Sequence, residues 1–269
     1  MQRRGFLASS LAASALAGTT PAADASGADP TPAETGRDYY LLRRYVLRRG
    51  PQQKMIDDFF RDAAIPAMNR LGIKPVGAFN VSIGPGSPTL YILTPHPSVD
   101  SVITTYDRVS ADPEYQKAGA AFINTPPTEP AYARVESSLL LAFEGMPKLE
   151  VPAATAESKP RIFELRTYES HSRKAGRTKI RMFNTAEMAI FRRIGFKPVF
   201  FGETVIGSGM PSLAYMLAFA DMEERARSWA AFGADPEWQK LSTSVGNTDG
   251  EIVSSITNVI LSPTAYSQI

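Results

Sequence analysis

The chain has 269 residues, which is long enough for one or two domains with a buried core. Its 29 Lys and Arg residues nearly balance its 27 Asp and Glu residues, so no strong basic field marks it as a nucleic-acid-binding protein. The sequence contains no Cys, which excludes disulfides, thiolate metal sites and a thiol nucleophile.

The first residues have the composition of an export signal. Arg3 and Arg4 precede an apolar run over residues 6–17, which is shorter than the roughly 20 residues that span a bilayer. The small residues Ala23-Asp24-Ala25 then form a cleavage pattern. Because "RRGFL" resembles a twin-arginine signal, we expect a signal peptide over residues 1–25, the Tat translocase as partner during export, and a periplasmic or secreted protein. An ordinary secretory signal is the alternative, and no membrane span is expected in the mature chain.

Two long segments of the remaining sequence repeat each other at a constant offset of 123 residues. The segment "RLGIKPV" (70–76) matches "RIGFKPV" (193–199), and "DPEYQK" (112–117) matches "DPEWQK" (235–240). Two copies are too few for a solenoid, so the pattern predicts a tandem pair of domains. The expected segments are a flexible lead-in (26–37), domain 1 (38–144), a linker (145–160), domain 2 (161–262) and a tail (263–269).

Each copy shows the same order of elements. The first copy begins with a strand pattern, "DYYLLRRYVL", followed by a helix that starts at Pro51, stops at Gly72 and is expected to kink at Pro66. Two strand patterns around the turn "GPGSP" follow, then a helix from about Ser98 and a closing strand, "RVESSLLLAF". This is the β-α-β-β-α-β order of a ferredoxin-like unit, so the predicted class is α+β.

The repeated hexapeptide has the pattern of a helix start. Asp112 and Asp235 suit the N-cap position, the next residue is a proline suited to the first helical position, and a glutamate then faces the positive end of the helix dipole. The hexapeptide is therefore predicted to be scaffold rather than a chemical site. A further capping box is expected from Asp221 and Glu224 in the second copy.

Four motifs of the second copy carry a family resemblance. The segments "FELRTY" (163–168), "GFKPV" (195–199), "YMLAF" (215–219) and "WAAF" (229–232) before "DPEWQK" resemble the NIPSNAP family, over roughly residues 38–262. The first copy departs from the pattern, with Leu41 in place of Glu164 and Tyr106 in place of Trp229.

The resemblance implies a dimeric α/β barrel, in which two ferredoxin-like sheets face each other with helices outside. Here one chain would supply both halves. The wider superfamily includes cofactor-free monooxygenases, small isomerases and haem enzymes, and the resemblance attaches no activity to the NIPSNAP branch. The family resemblance is also compatible with assembly of the chain into a homo-oligomer.

Strand alternation selects the candidate site residues. In the fifth predicted strand, Phe163, Leu165 and Thr167 form one face and the polar residues the other. We expect the apolar face to lie under the helices and the polar face to point into the barrel. These inward groups would form either a satisfied structural network or a ligand pocket. The ligand-binding candidates are Arg43, Tyr45, Asn80, Glu164, Arg166, Tyr168 and Glu203.

The sequence predicts neither a metal site nor a cofactor. Its two histidines, His96 and His171, lie in predicted loops without a second ligand at usable spacing, so both are expected to be solvated. The sequence leaves three classes of function open: an enzyme, a binding protein and a protein-interaction module. We expect an exported protein that binds or transforms a small, partly apolar molecule in the barrel interior without a tight cofactor. The alternative is a non-catalytic protein-interaction module with a filled barrel.

Overall fold

The structure is a computed structural model, and it describes residues 36–157 and 159–269. The predicted twin-arginine signal, with Arg3 and Arg4, lies outside the described residues, as does most of the predicted lead-in. Within the described ranges, none of the helices is both long and apolar enough to cross a bilayer.

The first copy has the predicted order of elements, with short helices added before its last strand. Its strands are β1 (Tyr39–Val46), β2 (Gly77–Ile83), β3 (Thr89–His96) and β4 (Arg134–Ala142). Its helices are α1 (Pro51–Phe59), a π-helical turn (Phe60–Ala64), α2 (Ile65–Arg70), α3 (Val99–Ser110), α4 (Pro113–Ala118) and α5 (Ala120–Ile123).

The second copy follows a connection that contains the short helix α6 (Ala153–Ala156). Its strands are β5 (Ile162–Glu169), β6 (Lys197–Ile206), β7 (Ser212–Phe219) and β8 (Ser255–Pro263). Its helices are α7 (Arg173–Met182), a π-helical turn (Phe183–Glu187), α8 (Met188–Ile194), α9 (Met222–Ala234), α10 (Pro236–Ser242) and α11 (Asp249–Ile252).

All eight strands close into one antiparallel barrel in the order β1-β3-β2-β8-β5-β7-β6-β4. Each copy contributes four adjacent strands, and the copies join where β2 pairs with β8 and β4 pairs with β6. Phe79 lies opposite Pro263 at the first junction, and Ala142 lies opposite Gly202 at the second. The predicted pair of ferredoxin-like units in one intrachain α/β barrel is confirmed.

The barrel has one core inside and one core under the helices of each copy. The interior core takes residues from every strand, including Leu42, Phe163 and Met216. The helices of the first copy cover a second core around Phe60, and those of the second copy cover a third around Phe183. Both faces of the sheet are therefore buried over much of its area, and β3 and β7 are continuous runs of buried residues, whereas β2, β4 and β8 each have an exposed end.

The C-terminal segment, expected to be a tail, lies at the end of the barrel opposite the strand hairpins. Ile269 is fully buried in the interior core, and its carbonyl oxygen accepts a hydrogen bond from the Arg161 guanidinium at 3.0 Å. Gln268 donates its backbone N–H to the carbonyl of Val76 at 2.9 Å. This end of the barrel is consequently packed, while the hairpin end is not.

The capping box expected at α9 is only half formed. Asp221 accepts the backbone N–H of Glu224, but the Glu224 carboxylate accepts the backbone N–H of Ala220 rather than that of Asp221.

The helix starts predicted at the two hexapeptides are confirmed. Asp112 Oδ1 accepts the backbone N–H groups of residues 114 and 115, and Asp235 Oδ1 accepts those of residues 237 and 238. The second carboxylate oxygen of Asp235 bonds Arg193 at 2.8 Å, and that of Asp112 bonds Arg70 in the same way. The repeated hexapeptide thus caps a short helix and ties it to an earlier helix of the same copy, α2 in the first and α8 in the second.

Candidate functional site

The orientation predicted for the polar strand residues is wrong. Phe163 and Leu165 belong to the interior core, whereas Tyr168 packs under the helices of the second copy against Phe183. Glu164 also lies on the helix side, where it contacts α9. The physical reason is that the barrel interior must itself be an apolar core for eight strands, while the helices supply polar partners for the charged residues.

Glu164 is fully buried and is the centre of a polar network whose other members are partly buried. Its carboxylate accepts hydrogen bonds from Arg166 at 3.0 Å, from Arg225 at 2.6 and 3.0 Å, and from the indole N–H of Trp229 at 2.7 Å. The guanidinium of Arg166 lies 4.4 Å from the Trp229 ring centroid and donates to the hydroxyl of Tyr168 at 3.0 Å. Glu164, Arg166 and Tyr168 are therefore brought together, as predicted, but in a satisfied network outside the barrel interior.

The equivalent residues of the first copy line a cavity. Arg43 and Tyr45 lie on the helix side of β1 and border a cavity of about 310 Å³, which we call the Arg43 pocket. Burial raises the pKa of Tyr45 above its ordinary value, and the charge of Arg43 opposes that rise. The pocket lies between β1, β4 and the helices of the first copy, and its other walls include Phe59, Phe60, Met68, Thr105, Tyr106, Val109, Tyr115, Phe122 and Tyr132.

The remaining two candidates lie apart from both of these groups. Asn80 is exposed on β2, where it pairs with Leu90 and Ser262. Glu203 is half-buried on β6 and lines a groove with Arg173 and Arg177 of α7. The structure thus does not bring Asn80 and Glu203 to a common site, and their orientation into the barrel is also wrong.

His96 is not the solvated loop residue that the sequence predicts. It ends β3, is 1% exposed, and its ring nitrogens contact the hydroxyl groups of Thr94 at 2.9 Å and Ser101 at 3.1 Å. Burial and the neighbouring charge of Arg43 lower its pKa to about 4. His96 is therefore a neutral hydrogen-bonding group at neutral pH.

A second buried ion pair was not predicted. Lys179 Nζ lies 3.2 Å from Glu187 Oε2, and both side chains are 2% exposed. The ammonium also lies 5.0 Å from the ring centroid of Trp238 and close to Tyr168. Burial raises the pKa of Glu187 to about 7, against the opposing effect of Lys179.

The interior of the barrel contains a cavity at the hairpin end, of about 530 Å³, which we call the barrel-mouth cavity. Arg44 and Glu136 form an ion pair of 3.0 Å at its rim. The Ser212 hydroxyl is buried and has no hydrogen-bond partner among the described residues. The inner wall includes Leu42, Tyr91, Leu140, Leu165, Ala214 and Val259, and the rim includes Arg44, Glu136, Ser138, Thr167, Thr204, Ser208, Ser212 and Thr257.

These rim residues were missed because the strand faces were assigned the wrong way round. The same alternation could have identified them, because consecutive residues of a strand face opposite sides of the sheet. Arg44 follows Arg43, and Thr167 follows Arg166. Within the described residues, no three His, Asp or Glu side chains converge in an arrangement that could hold a metal ion.

The fold resembles crystal structures whose sequences are very different. A protein from Fusobacterium nucleatum, provisionally named a monooxygenase, has a TM-score of 0.57 at 8% identity and covers 84% of this chain and 92% of its own. One from Lactobacillus acidophilus with the same provisional name has a TM-score of 0.55 at 9% identity, over 84% of this chain and 94% of its own. At these identities the similarity shows the fold alone. No curated protein matches the chain.

The sequence itself matches a family twice. A NIPSNAP-like domain protein from Burkholderia xenovorans is 28% identical over 40% of this chain and 88% of its own, with a TM-score of 0.36. The family model described as NIPSNAP matches residues 40–143 and again residues 163–268. Because these two matches cover both repeats, the chain belongs to the NIPSNAP family.

Proposed function

We propose that the protein binds a small, partly apolar molecule in the barrel-mouth cavity, without a tightly held cofactor. The observation that carries the proposal is a cavity of about 530 Å³ with an apolar inner wall and a hydroxyl-rich rim. Small-molecule sites commonly combine such a wall with a few convergent polar groups. The buried Ser212 hydroxyl supports this, because an unpaired buried polar group is costly unless a ligand or water satisfies it.

The rim favours a neutral ligand that carries oxygen atoms. The charge of Arg44 is balanced by Glu136 at 3.0 Å, so the cavity offers no excess cation to an anion. The hydroxyl groups of Thr167, Ser212 and Thr257 can donate to or accept from hydroxyl and carbonyl groups. We therefore infer a molecule with an apolar end in the barrel and a hydroxyl- or carbonyl-bearing end at the rim.

A binding role accounts for these features better than a protein-interaction module with a filled barrel, since a filled barrel would have no such cavity. The provisional names of the monooxygenase neighbours are not transferred, because the similarity to them is one of fold. Turnover of the bound molecule is a separate question, which product analysis would answer once the ligand is identified.

We further propose that the protein is exported through the Tat translocase. The support is the segment "RRGFL" with Arg3 and Arg4, followed by an apolar run and Ala23-Asp24-Ala25. Replacing both arginines with lysine should abolish export, measured by fractionation of the producing cells. Undiminished protein in the periplasm would show that the pair is not a twin-arginine signal.

Native mass spectrometry of the purified protein tests the binding proposal. Ala214 is 3% exposed and lines the cavity, so Ala214→Phe should fill the space and abolish retention of a small molecule. Ala231→Phe, on the exposed face of α9, makes the same change outside the barrel and should leave retention intact. A molecule that both variants retain equally would contradict the assignment to the barrel mouth.

A further inference from the structure

The two copies differ at the same place in the fold, between the sheet and the helices. Arg43 of the first copy and Arg166 of the second occupy equivalent positions in the 123-residue repeat. In the second copy this place is filled, because Arg166 bonds Glu164 and lies against Trp229. In the first copy it is the Arg43 pocket, a cavity of about 310 Å³.

Three substitutions between the copies account for the cavity. Leu41 replaces Glu164, Val102 replaces Arg225, and Tyr106 replaces Trp229. The first removes the carboxylate that neutralises the arginine. The last removes the indole that covers it, because Tyr106 is 65% exposed and lies at the edge of the pocket.

Arg43 is consequently a cation without an anionic partner in the part of the chain that the structure describes. Among the residues that the structure describes, no carboxylate comes within 4.0 Å of its guanidinium, and its close polar neighbours are Tyr45 and the neutral His96. A half-buried guanidinium in such surroundings loses hydration, and the Tyr45 hydroxyl replaces only part of it and brings no negative charge. A bound anion would restore that lost interaction, and a carboxylate matches the planar guanidinium in shape.

The walls of the pocket define the rest of the ligand. Phe59 stacks on Phe122 at 3.9 Å between ring centroids, and Tyr45 packs edge-on against Phe60 and Tyr132 at 5.4 and 5.6 Å. Such walls favour a flat aromatic body, and they offer a phosphate group few hydrogen-bond donors.

We propose that the Arg43 pocket is a binding site for a small aromatic monocarboxylate, whose carboxylate pairs with Arg43 and whose ring packs among Tyr45, Phe59, Phe122 and Tyr132. The site is separate from the barrel-mouth cavity, because Arg43 and Arg44 are consecutive residues of one strand and face opposite sides of the sheet.

Fluorine NMR titration of the full chain with para-fluorophenylacetate tests this site. The carboxylate should bind at least about tenfold more tightly than its neutral counterpart, para-fluorophenylethanol, because only the carboxylate pairs with the guanidinium. Arg43→Met should weaken binding of the carboxylate by about tenfold or more. Arg49→Met, on an exposed arginine of the same segment, should leave it unchanged.

A second variant keeps the proposal testable if Arg43→Met does not fold. Leu41→Glu introduces the carboxylate found at this place in the second copy, so it should occupy Arg43 and abolish binding of the probe. Equal affinity for the acid and the alcohol, or unchanged binding in Leu41→Glu, would overturn the proposal. So would complete displacement of the probe by equimolar inorganic phosphate, or loss of probe binding in Ala214→Phe, which would assign the probe to the barrel mouth.

Discussion

Glu164 has no exposed surface, and its carboxylate accepts hydrogen bonds from Arg166, Arg225 and Trp229. We expect Glu164→Leu to lower the free energy of unfolding by about 3–5 kcal/mol, because it leaves two guanidinium groups in the network without their carboxylate. Urea denaturation of the purified variant measures the loss.

The first copy supplies a control for this change. The triple variant Glu164→Leu, Arg225→Val and Trp229→Tyr installs the residues that the first copy has at these positions. The triple variant also removes Arg225, one of the two guanidinium groups that Glu164→Leu leaves without a carboxylate. It should therefore recover part of the stability lost in Glu164→Leu. A triple variant that is less stable than the single variant would show that the indole packing matters more than the charges.

His96 and Glu187 should give opposite pH dependences. The pKa of His96 is lowered to about 4, so between pH 6.5 and 4 the unfolded chain binds a proton that the folded protein does not, and stability falls as pH falls. The pKa of Glu187 is raised to about 7, so between pH 4.5 and 7 the folded protein holds a proton that the unfolded chain loses. That contribution falls as pH rises.

Each of these groups can be removed by one substitution. Relative to the unchanged protein, His96→Gln should lose stability more steeply as pH rises from 4.5 to 6.5, and Glu187→Gln should lose it more steeply as pH falls. Each single proton contributes a slope of up to about 1.4 kcal/mol per pH unit. Denaturation series at several pH values measure both slopes, and two changes of the same sign would contradict the assignment.

At the scale of elements, the helix starts could be predicted because their signals are local. Asp112 and Asp235 cap helices within three residues of themselves. The sequence shows every group involved except the two arginines, which come from α2 and α8. The kink expected at Pro66 is instead a π-helical turn over Phe60–Ala64. The proline is not its cause, since the second copy has the same turn over Phe183–Glu187 and an alanine at the corresponding position.

The N-caps Asp112 and Asp235 predict an order of stability among variants, which can be measured in both copies. Asp112→Ala and Asp235→Ala remove the cap and the ion pair together, whereas the corresponding Asn variants keep an oxygen that can accept from the backbone. Each Ala variant should therefore be less stable than its Asn counterpart, and the Asn variants should lie close to the unchanged protein, because exposed ion pairs contribute little. If the Asn and Ala variants lose equal stability, the loss is due to the ion pairs with the arginines and not to the caps.

For the whole molecule, the sequence predicted the closed barrel but not which strand face lies inside it. The repeat and its order of elements indicate two ferredoxin-like units, and the resemblance to the NIPSNAP family implies that their sheets close into one barrel. The inner and outer faces could not be separated because both are buried, so hydrophobic alternation does not distinguish them. The partners of Glu164 come from α9, more than 60 residues along the chain, and strand alternation alone does not reveal them.

The same architecture predicts how one copy behaves alone. A fragment of residues 38–148 would expose the edges of β2 and β4, which β8 and β6 cover in the full chain, and the apolar inner face of its sheet. We expect it to form a symmetric dimer in which each edge pairs with the second copy of the fragment. Light scattering after gel filtration measures the mass, and a stable, cooperatively melting monomer would contradict this expectation.

The pairing of β2 with β8 also orders events during folding. Phe79 lies opposite Pro263, so this junction brings together residues from distant parts of the chain and can form only after β8 has been synthesised. Until then β2 and β5 each present an unpaired edge, and the apolar inner faces of both sheets stay open to solvent. Such non-local pairing makes folding slow, and the interval before barrel closure is when the chain is most exposed to aggregation and to chaperones.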